Sequence, residues 1–573
     1  MSSGNPTDQL RKEKLQAKPN SPNLIVISLI CFLVSIGFSP ATWSATYFVD
    51  ASSGNDGNPG TIQTTPWKTI AKVNGSQFQP GDQVLFRRGE TWRETLSPQT
   101  PGEANNPIKF GAYGTGAKPI ISGANIVKGF VKDPQANVWS AMITTAPQVV
   151  IFNSSNGIKT STKVDLDGLN KWYWVSNVLY VYSVGNPDNL YTSPGLQVGT
   201  RNWGIVAGKN YLLFENFIVE GANSTNITIV GNGTRGCTFS FCESRFGVLG
   251  ILLFDTTLGG GHVIKNCEVR DNRGTGINGF KHIGSTKGNE SFIQNNQVYN
   301  NQEAGIVWRG NYGVIERNLV HDNGNASSPY MGIHIYSGAM DEGTGDHNII
   351  RFNKVYNQLG NGEDGAGISS DQWCDNNEIY YNVVFNNDGP GIYLFDSANC
   401  KIFNNVCYAN CKNSSGQLTE KGEIRITSSG VPNNLTRFAE VKNNIGYATR
   451  LGTYAVYVDS ETAAYLPVIS NNLWYREDAA NWYYWGNSSG KDLITWRNLS
   501  GAASDLKSNP NFLNAAIQDF HLQAGSPCID TEINVSLALD YDNNPVSLGI
   551  NPDIGAFEFN PYKPLPPWDI RIY

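Results

Sequence analysis

Five short segments that contain a Gly-Ile pair carry the residue types that could do chemistry in this chain. They read TGINGF (275–280), AGIVWR (304–309), MGIHIY (331–336), AGISSD (366–371) and PGIYLF (390–395). Side chains alternate between the two faces of a strand, so the isoleucine and the second residue after it share one face. With the isoleucines in a core, the outward residues include Phe280, Arg309, His334, Tyr336, Asp371, Tyr393 and Phe395.

Two reactions of glycans fit these outward residues, and we expect the first, β-elimination by a polysaccharide lyase, ahead of the second, hydrolysis. In β-elimination at a uronate, a base removes the proton next to the carboxyl group while a cation neutralises the carboxylate. Tyr336 or His334 could be the base and Arg309 the cation. In hydrolysis with inversion, two carboxyl groups about 6.5–9.5 Å apart act as acid and base. Asp371 with Asp364, or with Asp341, could supply that pair.

The aromatic side chains at the two ends of this outward row would suit a polysaccharide. Such a substrate needs flat surfaces for its sugar rings and polar groups near one glycosidic bond. We expect these residues to contact the substrate: Phe280, Lys281, Glu303, Tyr393 and Phe395. A non-catalytic carbohydrate-binding or adhesion protein would also need the aromatic strip, but not the titratable groups. The sequence leaves both classes open.

Acidic loops adjoin the two segments that carry His334 and Asp371. The stretches SGAMDEGTGDH and QLGNGEDGA supply the carboxylates Asp341, Glu342, Glu363 and Asp364. Carboxylate oxygens are the ligands that Ca²⁺ prefers. One interpretation is therefore a Ca²⁺ site that assists the reaction, and the other is solvated loop charge.

The elements that position these residues are marked by a recurring asparagine. It stands two residues before an apolar strand residue at Asn296, Asn318, Asn353, Asn382 and Asn405, with steps of 22, 35, 29 and 23 residues. Self-similarity at such a period indicates a solenoid. Each repeat holds two short strands joined by only a few residues, which leaves no room for helical crossovers. The pattern therefore predicts an all-β fold wound as a parallel β-helix.

Two further sets of residues follow the same repeat. An aromatic series, predicted to stack as part of the scaffold, comprises Tyr299, His321, Tyr356, Phe385, Tyr408, Tyr447 and Tyr475. Cysteines also fall at repeated positions, where Cys374 with Cys400 and Cys407 with Cys411 could form disulfides after export. Cys242 and Cys267 occupy the asparagine column, where either stacked thiols or a disulfide would fit.

The opening YFVDASSGNDGNPGT, the coils and the closing NPDIGAFEF together resemble the right-handed parallel β-helix superfamily of pectate-lyase-like secreted proteins, over about residues 46–560. The resemblance implies a solenoid with capped ends. Lyases of this fold often use Lys or Arg as the base, which points to Lys281, although alternation turns that residue inward or toward the turn. Because the superfamily includes lyases, hydrolases, epimerases, depolymerases and non-catalytic binders, it does not settle the reaction.

The same reading divides the chain into consecutive regions. We expect an N-terminal cap with the first coils at 45–125, an inserted β-hairpin region at 126–200, a β-helix core at 201–475, a closing module at 476–560 and a tail at 561–573. Sixty glycines with only 16% charged residues fit such a turn-rich β protein.

Residues 1–44 read as a signal peptide. A basic stretch precedes the apolar run 24–39, and Ser44 ends a plausible cleavage site. The alternative is an uncleaved anchor through 24–39. The chain carries a net charge of −7, which argues against nucleic acid as a partner. We expect a secreted, periplasmic or extracellular monomer that acts on a polysaccharide and has no stable membrane insertion after cleavage.

Overall fold

The computed structural model describes residues 44–254, 259–280, 285–326, 330–339, 342–360, 364–413, 421–431, 435–478 and 480–561. Five sequence predictions lie wholly or almost wholly outside these residues, namely the signal peptide 1–44 with its apolar run 24–39, the tail 561–573, Lys281, Asp341 and Glu363. Within the described part of the chain, no helix is long and apolar enough to cross a membrane.

Most coils of the described chain contribute one short strand to each of three parallel sheets, which confirms the right-handed parallel β-helix. The first sheet contains Thr46–Val49, Gln83–Arg87, Ile108–Tyr113, Leu212–Glu215, Thr238–Ser240, Val263–Lys265, Ser291–Gln294, Gly313–Glu316, Ile349–Arg351, Glu378–Tyr380, Lys401–Phe403, Glu440–Lys442 and Val468–Ser470. The second contains Thr91–Trp92, Ile120–Ser122, Ile218–Glu220, Glu243–Arg245, Glu268–Arg270, Gln297–Tyr299, Leu319–His321, Lys354–Tyr356, Val383–Phe385, Val406–Tyr408, Ile445–Ala448 and Leu473–Arg476.

The third sheet holds the Gly-Ile strands. It contains Trp203–Ala207, Thr225–Val230, Leu249–Phe254, Ile277–Phe280, Ile306–Trp308, Ile333–Tyr336, Ile368–Asp371, Ile392–Phe395, Gly422–Thr427, Tyr454–Val458, Tyr483–Trp485 and an antiparallel last strand, Ser488–Gly490. The isoleucines that open the Gly-Ile strands are fully buried, so the predicted alternation is confirmed for the inward face.

A coil has three strands rather than the two predicted from sequence. The additional strand precedes the asparagine, and the residue between them has a left-handed φ of 50° to 57° at Asn295, Arg317, Phe352, Tyr381 and Asn404. This bend turns the chain from the first sheet into the second. Because four different residue types occupy it, the bend leaves no mark in the sequence.

The asparagines form a continuous buried ladder. The Nδ2 group of Asn296 donates to Oδ1 of Asn318 at 3.0 Å, and the same bond links Asn318 to Asn353, Asn353 to Asn382 and Asn382 to Asn405. Each of these oxygens also accepts the backbone N–H of the preceding asparagine in the ladder. The ladder thus pairs buried polar groups that would otherwise be costly, and it fixes the register between coils.

Ring stacking on the second sheet is confirmed for the first part of the aromatic series. The ring centroids of Tyr299 and His321, of His321 and Tyr356, and of Tyr356 and Phe385 lie 4.9–5.0 Å apart with nearly parallel planes. Tyr408 meets Tyr447 edge to face instead, at 84°. The stacked rings present their edges rather than their faces, which supports the scaffold interpretation.

The inserted region forms two small sheets on one side of the coils. One contains Ala124–Ile126, Val150–Phe152, Ser155–Asn156 and Leu196–Gly199, and the other contains Val131–Lys132, Val138–Met142, Ile158–Lys159, Lys171–Val175 and Val178–Tyr182. The last two strands make the expected hairpin around Ser176 and Asn177, whose φ values of 48° and 67° suit a tight primed turn.

Short helices and a terminal hairpin complete the described chain. The helices are Ile70–Asn74, Pro187–Leu190, Ser460–Ala463 and Leu493–Ser500, with a 3-10 turn at Ala515–Ile517, and the hairpin pairs Phe512–Asn514 with Asp519–Leu522. Helix Leu493–Ser500 begins at the N-cap Asp492 and ends at Gly501, which has a φ of 74°. It packs its buried Trp496 against Trp474 and Trp482 of the last coils.

The eight cysteines of the described chain are buried free thiols. The predicted disulfides between Cys374 and Cys400 and between Cys407 and Cys411 are therefore not formed. Of the two readings of Cys242 and Cys267, the structure has the thiols, each in contact with backbone carbonyl oxygens. These small apolar side chains fill interior positions of the coils.

Candidate functional site

The register of the third sheet brings the predicted residues together on its outer face. Tyr336 pairs in register with Asp371, and Asp371 pairs with Phe395 on the next strand. His334 pairs with Ser369, two positions earlier in the same two strands and therefore on the same face. Neighbouring strands lie about 4.8 Å apart, so the side chains of His334, Tyr336 and Asp371 are within reach of one another.

His334 and Asp371 form a hydrogen-bonded pair. Nε2 of His334 lies 3.0 Å from Oδ2 of Asp371, and the two side chains are 12% and 14% exposed. The ring of Tyr336 lies 5.2 Å from that of His334. A carboxylate beside one ring nitrogen favours the tautomer that places the proton there, which leaves Nδ1 as the basic nitrogen of neutral His334.

Arg309 is held on three sides. Its guanidinium lies 4.5 Å from the centre of the Phe280 ring and 5.3 Å from that of Tyr336, and its Nη2 donates to Oε2 of Glu342 at 2.6 Å. Only 8% of Arg309 is exposed, and its Nε has no hydrogen-bond partner among the described residues. Arg309 therefore stands beside the His334 and Asp371 pair with its charge compensated by Glu342.

Glu342 is one of the predicted Ca²⁺ ligands that lie in the described chain, and it is engaged in other contacts. Glu342 pairs with Arg309 and also accepts the backbone N–H of Gly338 at 3.0 Å. The described residues contain no group of three or more His, Cys, Asp or Glu placed to hold a metal ion. With Asp341 and Glu363 outside that part, Ca²⁺ binding stays a prediction, and we derive no step through it.

Glu303 and Asp364 lie at the other edge of the third sheet, where the strands begin. Glu303 accepts a hydrogen bond from the Thr275 hydroxyl at 3.1 Å, and burial raises the pKa of its carboxyl. The pKa of Tyr330 is raised by burial and by the charges of Glu303 and Asp364. These three residues thus form an edge cluster distinct from the His334 and Asp371 pair.

The structure does not place Asp364 beside Asp371. The two residues lie at opposite ends of the segment that contains strand Ile368–Asp371, and that strand alone spans about 10 Å at roughly 3.3 Å per residue. The predicted acid and base pair of Asp371 and Asp364 is therefore not assembled. Its other version, with Asp341, falls outside the described residues.

Tyr393 differs from the sequence expectation. It lies on the outer face as predicted but is only 3% exposed, because it packs with Met331 and Ala366. The guanidinium of Arg425 covers its ring at 4.4 Å. Tyr393 therefore supports the site floor, whereas the neighbouring Phe395 is partly exposed and remains available for a sugar ring.

Asp396 is a carboxyl that the sequence analysis did not place in the site. It follows Phe395 directly, in a left-handed conformation with a φ of 49°, and it accepts the backbone N–H of Ser429 at 2.8 Å. Burial raises the pKa of Asp396, and the charge of Asp371 raises it further. In the sequence, Asp396 stands one residue after the outward strand residue Phe395. An aspartate at that position is equally typical of a turn.

The coils place the chain among right-handed parallel β-helix proteins, and comparison with known families agrees with this fold. The family model described as "right handed beta helix region" matches residues 203–358 and 283–489. The chain belongs to this right-handed β-helix family.

Two curated relatives share short stretches with the chain. A lacto-N-biosidase of Bifidobacterium longum subsp. longum is 34% identical over 145 residues, which cover 22% of this chain and 9% of the relative. An α-1,3-galactosidase A of Akkermansia muciniphila is 34% identical over 90 residues, which cover 14% and 15%. The chain thus spans less than a fifth of the length of either relative.

A solved structure is similar along nearly the whole chain. The structure of XylC with xylose aligns with a TM-score of 0.55 and 12% identity, and the alignment covers 90% of this chain and 98% of that one. At this identity the likeness shows the shared fold alone.

Proposed function

We propose that this protein is an exported glycan-cleaving enzyme whose reaction takes place on the outer face of the third sheet. The observation that carries the proposal is the hydrogen bond between His334 and Asp371, with Tyr336 and Arg309 beside it. Four residues with complementary chemical roles meet on a rigid sheet, where positions are more reproducible than on loops. Both curated relatives also have names that denote the cleavage of glycosidic bonds.

The reaction that these residues support best is β-elimination at a uronate. His334 keeps its Nε2 proton in a hydrogen bond to Asp371 and uses Nδ1 to take the proton next to the substrate carboxyl group. Asp371 stabilises the imidazolium that results. The hydroxyl of Tyr336 gives a proton to the leaving oxygen as the glycosidic bond breaks, and the product keeps a carbon–carbon double bond.

Arg309 supplies the cation that this reaction needs. Negative charge develops on the substrate carboxylate as its neighbouring proton leaves, and a fixed guanidinium stabilises that charge. Phe280 and Tyr336 hold Arg309 in place through their ring faces. In this account the substrate carboxylate takes over part of the bonding that Glu342 provides in the free protein.

Hydrolysis is the second candidate, and Asp396 favours it. Asp371 and Asp396 lie on neighbouring coils, and burial together with the charge of Asp371 raises the pKa of Asp396. Two carboxyl groups whose environments differ in this way can serve as acid and base. Here Asp396 would protonate the leaving oxygen and Asp371 would activate water.

The experiment that tests the proposal incubates the mature protein with a panel of uronans and neutral glycans, with and without Ca²⁺. Ultraviolet absorbance from unsaturated products supports elimination, and new reducing ends without that absorbance support hydrolysis. Binding without either product would replace the enzyme with an adhesion or carbohydrate-binding solenoid. A matched control is His347→Ala, which removes a histidine that stacks on Tyr312 outside the strands of the third sheet and is expected to keep activity.

A further inference from the structure

A pocket of about 390 Å³ opens in the C-terminal part of the chain, next to the terminal hairpin. Phe520 of this hairpin packs on Phe385 and Tyr408, which belong to the second sheet. The pocket is thus a feature of the second-sheet side and is separate from the outer face of the third sheet. Its polar lining includes His521, Gln523, Asp542, Asn544 and Glu558.

His521 is fixed between two carboxylates. Its Nδ1 lies 2.7 Å from Oδ1 of Asp519, and its Nε2 lies 2.8 Å from Oδ2 of Asp542. Burial opposes a charge on the ring, but the hydrogen bonds to Asp542 and Asp519 outweigh it and raise the pKa of His521. The imidazole ring also packs 4.2 Å from the ring of Phe557. The two carboxylates and this ring together fix the orientation of the imidazole.

The remaining polar walls are equally fixed. Asn544 donates its backbone N–H and its Nδ2 group to the carboxylate of Asp540, at 2.7 and 2.8 Å. Glu558 is 4% exposed and accepts backbone N–H groups of Asp553, Ser547 and Leu548. A site whose side chains are already ordered loses little conformational entropy when a ligand binds.

The chemistry of the lining selects an uncharged, hydroxyl-rich ligand. Carboxylates and amides with planar oxygen and nitrogen groups accept and donate hydrogen bonds to sugar hydroxyls, and Phe559 adds an apolar surface for the C–H face of a ring. Among the described lining residues there is no lysine or arginine, so the carboxylate of Asp542 would disfavour an anionic sugar. The volume lies toward the small end of the range for ligand pockets, about 300–1,000 Å³.

We propose that this pocket binds a neutral sugar unit at the end or branch of a glycan, as a non-catalytic site apart from His334 and Asp371. The inference does not depend on the reaction proposed above, since binding here needs no turnover. The pocket would hold one neutral sugar unit of a glycan while the outer face of the third sheet acts on another unit of the same glycan.

The test is calorimetric titration of the full mature chain carrying His334→Ala with galactose, xylose, N-acetylglucosamine and their disaccharides, and with galacturonate as the anionic comparison. We expect at least one neutral sugar to bind at millimolar concentration or better, and galacturonate to bind at least tenfold more weakly. Gln523→Ala and Asn544→Ala should each weaken binding at least fivefold, whereas the exposed Asn487→Ala should leave it unchanged.

Each contrary result overturns the proposal. If no neutral sugar binds, the pocket is not a sugar-binding site. If galacturonate binds more tightly than the neutral sugars, the ligand is not a neutral sugar. Unchanged affinity in both pocket variants moves the binding elsewhere. Because Asn544 supports Asp540 and Gln523 donates from Nε2 to the carbonyl of Phe512, the variant that keeps the thermal midpoint of the parent chain is decisive, and binding of neutral sugars to the parent chain decides if neither keeps it. Failure of the enzyme proposal would leave these titrations unaffected.

Discussion

The imidazole of His334 and the carboxylate of Asp371 lie 3.0 Å apart although 37 residues separate them in the chain. They meet because strands Ile333–Tyr336 and Ile368–Asp371 are neighbours in register on the third sheet. The coil between them can vary in its loops without changing that distance. The β-helix thus converts a repeat in sequence into a fixed pair of reactive groups.

Replacing the acidic partner tests this pair. Asp371→Asn keeps the shape of the side chain but removes the charge that stabilises His334 as an imidazolium, so we expect turnover to fall by about 10²- to 10⁴-fold. The measurement is kcat on the most active glycan of the panel. Asp322→Asn is the matched control, because Asp322 lies 2.7 Å from His321 on the second sheet. Equal loss in both variants would refute a specific role for Asp371.

The ion pair between Arg309 and Glu342 gives a second prediction. Glu342→Gln removes the carboxylate that competes with an acidic substrate for Arg309, so we expect KM for a uronan to fall and KM for a neutral glycan to stay unchanged. Steady-state kinetics on both substrates measure this difference. Glu316→Gln, which breaks the comparable pair with Arg351, should leave both values unchanged. A higher KM for the uronan in Glu342→Gln would contradict the assignment of Arg309.

The asparagine ladder predicts a stability loss at any interior rung. Asn353→Ala removes the acceptor for both Asn318 groups and a donor to Asn382, leaving buried polar atoms unpaired. We expect a loss of about 1–3 kcal/mol in the free energy of unfolding. Chemical denaturation measures it, with the exposed Asn487→Ala as the control. A change below the error of the control would show that the ladder contributes no net stability.

Glu532 is a buried carboxyl group in the C-terminal part of the chain. It predicts that the free energy of unfolding falls as pH rises. Burial raises the pKa of Glu532 from 4.5 to about 9, and its Oε2 accepts a bond from Asn404 at 2.6 Å. The folded chain therefore binds more protons than the unfolded chain between these values. The stability is complete below about pH 4.5 and is lost as pH rises through about 9.

The variant Glu532→Gln should flatten this pH dependence, because the amide stays neutral at every pH. We expect the loss of stability on the order of a few kcal/mol between acidic and alkaline pH to shrink in the variant. Thermal midpoints across that range measure the slope. Glu103→Gln, at an exposed position, should keep the slope of the parent chain, and an unchanged slope in Glu532→Gln would rule out Glu532 as its source.

Regular features of the fold were predictable because they repeat. The Gly-Ile alternation placed His334, Tyr336 and Asp371 on one face, and the asparagine spacing set the coil. The strands of the first sheet were missed because the bend that creates them is occupied by residues as different as Arg317 and Phe352. A left-handed φ imposed by neighbouring coils has no residue signature of its own.

Contacts between coils account for the other differences. The burial of Tyr393 depends on Ala366 and Arg425, which come from the two flanking coils, and on Met331 from one coil further. The pairing of Glu342 with Arg309 depends on how a loop returns to the preceding strand. Alternation within one strand assigns the face of a side chain, but it does not reveal what covers that face.

Product analysis on the glycan panel decides whether the outer face of the third sheet catalyses elimination. With the mature protein, we expect an ultraviolet-absorbing unsaturated uronate product that is absent with Asp371→Asn. Reducing ends without this absorbance would contradict elimination and favour the Asp371 and Asp396 pair. The absence of any product across the panel, with and without Ca²⁺, would contradict catalysis at this site altogether.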